Sequence, residues 1–144
     1  MMYISKTVLV LFFVFVTLIG CASAPVDEAA EPELQQIPEN YGRIFVYRLS
    51  GDADHISSAA RIDGEPVGRA SPGIFFYVDL PVGTYEFAAA RNTHHVVAVD
   101  LKAGAVMNIR VDMWLRQSRW TLIPVLVSEE TARAQMSGLN YKGQ

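Results

Sequence analysis

Cys21 is the only thiol in the chain. It lies between small residues, with Gly20 before it and Ala22 and Ser23 after it. As a thiol it is a nucleophile, with small residues around it. Other residues offer less. His94 and His95 are adjacent, and neighbours on a strand point to opposite faces. With His55 far off in sequence and no acid or thiol at chelating spacing, no metal site is expected. Ser57 and Ser58 follow His55, but no Gly-x-Ser-x-Gly elbow is present. Asp52 and Asp54 flank Ala53 in a glycine-containing loop and read as solvated acids rather than a catalytic pair. No phosphate-cradling glycine loop occurs. These residues predict neither an enzyme nor a bound cofactor.

The remaining cluster is Trp114-Leu115-Arg116-Gln117-Ser118-Arg119-Trp120. Tryptophan and arginine are the residues enriched at binding hot spots. Trp114, Arg116, Arg119 and Trp120 are therefore the candidate interaction surface. The blander expectation, given more weight, is that one tryptophan covers the open end of a β domain with arginine stacked on it. A third arrangement puts the tryptophans at a membrane interface, a contact that the long linker described below does not force.

The elements that carry these residues begin with Lys6 and the apolar run Val8–Ile19, ending in small residues, which reads as a signal peptide. The run is shorter than the ~20 residues a spanning helix needs. Residues 9–16 are apolar on every face, unlike a half-buried core helix. Leu18-Ile19-Gly20-Cys21 resembles the bacterial lipobox. That resemblance implies a diacylglycerol thioether on Cys21, cleavage between Gly20 and Cys21, and acylation of the new amine. Acyl chains hold a protein to lipid by ~0.8 kcal/mol per buried CH₂. Ala22 replaces the Asp that commonly retains such proteins in the inner membrane, so the resemblance implies an outer-membrane anchor facing the periplasm.

Residues 22–40 hold three prolines, five acids and no base, the composition of a solvated linker. The whole chain has 144 residues, enough for one domain. Its 51% apolar and 19% charged residues exclude a disordered chain. A net charge of −3 leaves no basic excess for nucleic acid. A single cysteine excludes an internal disulfide. Residues 41–144 taken alone carry 11 bases, nine of them arginine, against 10 acids. The folded part is thus nearly neutral and rich in a residue suited to bidentate and stacked contacts.

From Gly42 onward, β-branched and aromatic runs alternate with turn signals. Strands are expected over 42–49, 59–62, 66–69, 74–80 and 120–127, with Asp63-Gly64 as a hairpin turn. Tyr85, Phe87 and Ala89 should face inward, as should Val97, Val99 and Leu101. Ala105, Met107, Ile109, Val111, Met113 and Leu115 should share one face, with Asn108, Arg110, Asp112 and Arg116 on the other; if Met113 and Leu115 point inward, Trp114 and Arg116 point outward. Pro124 marks an edge or a bulge. Ser128-Glu129-Glu130 opens a short helix that Gly138 ends. The fold class is all-β: an antiparallel sandwich of seven or eight strands with a short C-terminal helix.

Val46-Tyr47-Arg48, Ile62-Asp63-Gly64-x-x-Val67-Gly68, the Phe76 strand, Leu80-Pro81-x-Gly83-x-Tyr85, Leu101-x-Ala103-Gly104 and Ser128-Glu129-Glu130 occur in that order. Together they resemble a family of small bacterial lipoproteins known only as a domain of unknown function. The family implies a transthyretin-like or PEGA-like sandwich on a lipid anchor, and it carries no activity to transfer. The expected role is non-catalytic binding or scaffolding toward an envelope protein or cell-wall component. Two alternatives are a small-ligand carrier or envelope enzyme using the 50–58 loop, and a structural lipoprotein self-associating through the edge near Pro124.

Overall fold

Turn residues cut the chain into short extended runs, and each run becomes a strand. The computed structural model describes residues 34–51, 53–90 and 94–143. The signal segment, Gly20, Cys21, most of the linker and Asp52 lie outside the described residues. Leu34–Gln144 forms one compact unit by its contacts. Every strand and both apolar clusters among the described residues lie inside it, as in a domain that folds on its own.

The elements are β1 (Tyr41–Arg48), β2 (Ser58–Ile62), β3 (Glu65–Ala70), β4 (Ile74–Pro81), β5 (Gly83–Ala88), β6 (Val96–Leu101), β7 (Val106–Arg116) and β8 (Arg119–Val127). Helix α1 (Glu129–Met136) and the two-residue β9 (Asn140–Tyr141) follow. One sheet has the order β8-β7-β1-β4-β9 and the other β3-β2-β5-β6. This is the expected sandwich with its C-terminal helix. Two pairings are parallel, β1 with β7 and β4 with β9, and the rest are antiparallel. Between β1 and β7 the chain crosses into the second sheet and back twice, with β4 between the two excursions, a long connection of the kind parallel neighbours require.

Between the sheets, Ile44 and Val46 meet Phe87, Val99 and Leu101, with Phe76, Ile109 and Val111 alongside. The predicted inward residues Tyr85, Phe87, Ala89, Val97, Val99 and Leu101 all contribute to this cluster. Phe45, Tyr47 and Phe75 point to the other face of the larger sheet, where Ala132 of α1 covers them. β1 is therefore buried on both faces, which explains its nearly unbroken apolar run.

Local chemistry fixes the turns. Asp63 and Gly64 have φ of 50° and 84°, the left-handed pair of a two-residue hairpin. Asp63 Oδ1 also accepts from Glu86 N at 2.8 Å, pinning the hairpin to β5. Gly68 lets β3 approach Phe76, because a Cβ there would sit 2.5 Å from the ring. Ser128 caps α1 by accepting from Thr131 N at 3.2 Å, as its position predicted. At the domain entrance, Arg43 is 4% exposed and grips Asp79 through two 2.7 Å bonds. Its Nη2 also donates to the Gln35 carbonyl at 2.7 Å, so the domain holds the chain upstream of residue 41.

Candidate functional site

β7 outruns its neighbour. It pairs with β1 only from Val106 to Arg110, but with β8 from Asn108 to Arg116. Beyond Arg110 the two strands continue as a ribbon whose first residues, Val111 and Met113, still pack against the core, and which is exposed from Trp114 to Arg119. Trp114 is 61% exposed there and Leu115 59%. Leu115 was expected to share a face with Ile109 and Val111, and it does not share their burial. Its parity matches Ile109 and Val111, but the opposite sheet gives it no cover so far along the ribbon. The turn is Gln117-Ser118, with φ of 48° and 59°. Both residues sit in the left-handed region without glycine, a local strain.

Arg116 and Arg119 close the ribbon directly opposite one another, both exposed. Neither has a carboxylate within 4.0 Å among the described residues. The other described arginines are engaged. Arg43 and Arg110 hold Asp79 and Asp112, and Arg133 holds Glu129. Arg61 donates to the Gly64 carbonyl and Arg69 to Ser57 Oγ. Arg48 donates to the carbonyls of Ile56 and Ala53.

The two tryptophans part company. Trp120, half-buried, lines a 220 Å³ cleft at the end of the sandwich with Val111 and Met113 on one side and Arg48 to Gly51 on the other. Trp114 stands exposed, and among the described residues the arginine stacked on a ring is Arg43, 3.9 Å over Tyr77. Arg48 is 2% exposed, and burial pushes its pKa down while Asp54 opposes the shift. Its two carbonyl partners fix the 49–57 loop against β1. The cleft joins two regions that the sequence reading kept apart, the 50–58 loop and the tryptophan segment.

The remaining polar candidates do not converge. His55, His94 and His95 are all exposed, the last two just ahead of β6. Ser57 Oγ accepts from Arg69 Nε at 2.9 Å, and Asp54 accepts from Gly51 N at 2.8 Å. Among the described residues no three His, Cys, Asp or Glu side chains come together. The larger hollow, 580 Å³, runs along exposed residues of α1 alone.

A buried polar layer under α1 was missed by the sequence reading. Asn108 is 4% exposed, and Arg110 and Asp112 about a quarter, although their face was expected to meet solvent. The helix covers it. Arg110 holds Asp112 through bonds of 2.6 and 2.9 Å, which raises its pKa. Tyr47 donates to Gln135 Oε1 at 2.6 Å, and burial pushes its pKa up. Tyr47, Arg110 and Asp112 are thus joined to one another or to Gln135 of the helix, an arrangement that docks α1 on the sheet. Ala132 and Met136, four apart and so on one helix face, were the signal for that approach.

The fold and this site define a β-sandwich module whose two most exposed large apolar side chains, Trp114 and Leu115, lie at one hairpin end beside two arginines without an ion-pair partner among the described residues. Comparison with protein-family models, curated proteins and solved structures returned no match.

Proposed function

We propose that the chain is a lipid-anchored module of the bacterial envelope with a non-catalytic binding or scaffolding role. In this reading Cys21 carries the lipid after cleavage beside Gly20, and the sandwich faces the periplasm from the outer membrane. The acidic linker lets the domain stand clear of the anchor. The β7–β8 hairpin end meets another envelope component. The observation that carries the binding role is the hairpin itself. It projects past the sandwich with Trp114 and Leu115 more than half exposed and two arginines that lack partners among the described residues.

The anchor is tested by fractionating cells that express Cys21→Ala. Release from the membrane fraction is expected, and full retention would sink the anchor. The binding role is tested by in-cell crosslinking from a photoreactive side chain in place of Arg116, with adducts identified by mass spectrometry. A dominant adduct from the envelope is expected. If none forms there while a probe in the 50–58 loop does crosslink, the hairpin is structural and the cleft at Arg48 and Trp120 becomes the site.

A further inference from the structure

We propose that the β7–β8 hairpin end seats on an anionic lipid surface, with Trp114 and Leu115 entering the headgroup layer and Arg116 and Arg119 taking phosphate oxygens. This rests on the reading of the hairpin end as the binding surface, and it names the partner.

The first argument is shape. Trp114 and Leu115 are adjacent on a strand, so they point to opposite faces of the ribbon. They are nonetheless 61% and 59% exposed. A folded protein with a flat patch covers one face of a ribbon and leaves the other in water. A fluid headgroup layer surrounds both faces at once. Interfacial segments bury apolar side chains ~5–10 Å deep, which matches the last two or three residues of a strand.

The second argument is charge. Arg116 and Arg119 are cross-strand partners at the turn. Like charges directly opposite one another destabilise a ribbon, and neither has a carboxylate within reach among the described residues. A surface dense in phosphate turns that repulsion into attraction. Residues 41–144 carry 11 bases against 10 acids, so the attraction belongs to the hairpin and not to the domain as a whole. Tryptophan beside arginine is also the composition of membrane-interface anchors.

The test uses the Leu34–Gln144 unit carrying Trp120→Phe, which leaves Trp114 as its only tryptophan. Vesicles of phosphatidylcholine alone are compared with vesicles of phosphatidylcholine and phosphatidylglycerol in equal parts. With the anionic vesicles, Trp114 emission should shift to the blue and the protein should sediment with the lipid. Added salt should weaken both. Arg116→Gln with Arg119→Gln should lower partitioning about 25-fold, at roughly fivefold per arginine. Trp114→Ala with Leu115→Ala should abolish sedimentation. Circular dichroism should show both double variants folded, because the altered side chains are exposed. Absence of a blue shift with anionic vesicles overturns the inference, as does unchanged partitioning of the arginine variant. If lipid fails while crosslinking through residue 116 still captures one protein, the binding surface stands and the lipid partner falls. If both fail, both readings fall.

Discussion

Asp79→Ala removes the counter-ion of a buried arginine and should destabilise the domain by about 3 kcal/mol. Arg43 is 4% exposed and Asp79 20%, and two bonds of 2.7 Å join them. The hydrogen bonds to Asp79 hold the Arg43 pKa above its ordinary value, more than burial lowers it. Breaking such a pair from one side costs ~3–5 kcal/mol, because the other charge stays buried. The lower figure applies because water reaches Asp79 and Arg43 keeps the Gln35 carbonyl and the Tyr77 ring. At roughly 4 °C per kcal/mol for a domain of this size, Tm should fall by about 12 °C. Urea unfolding of Leu34–Gln144, followed by circular dichroism, measures the loss directly. Arg43→Met with Asp79→Leu should recover most of it, since no charge is then left unpaired. A loss under about 1 kcal/mol for Asp79→Ala, or a double variant no better than the single one, would refute the reasoning.

Three further outcomes follow from the geometry. Burial raises the Tyr47 pKa above 10.0, so the folded state keeps a proton that the unfolded state loses. Stability from this group is full below the unfolded value and is lost as pH climbs toward the folded one, and Tyr47→Phe should flatten that alkaline decline in a pH series of urea melts. Gln117→Asn with Ser118→Gly suits the left-handed turn and should raise stability by about 1–2 kcal/mol, read as a higher Tm; no gain would mean the turn is unstrained. Gly68→Ala drives a Cβ to 2.5 Å from the Phe76 ring and should cost about 1–3 kcal/mol in the same assay.

The strands were legible because their alternation is local. Val97, Val99 and Leu101 announce a half-buried strand whatever lies across from them, and Asp63-Gly64 announces its own turn. What lay beyond the sequence depends on registers between distant segments. Leu115 continues the core pattern of β7 without a break, and only the end of β1 pairing at Arg110 shows that the core stops short of it. Asn108 and Arg110 read as solvent-facing because nothing in β7 reports that α1 returns to cover them. Gln117-Ser118 carries neither Gly nor Asn, so the hairpin that presents the candidate surface had no turn signal. Arg48 sits where a strand meets a polar loop, and its burial follows from carbonyls that the 49–57 loop brings back to it.

The sheet edges bear on self-association, the structural alternative raised by Pro124. β8 and β9 border the larger sheet and β3 and β6 the smaller. β8 does lie at an edge, and its register with β7 runs without a bulge. A proline takes one donor out of a strand, and edge strands are where sheets tolerate it and where it discourages pairing. Pro66 does the same for β3, and β9 is too short to template a ladder. The border strands are therefore blunted against edge-to-edge pairing in three of four cases. Contact through side chains then has the advantage, and the described side chains that are most exposed, apolar and cationic together are those at the end of the β7–β8 ribbon.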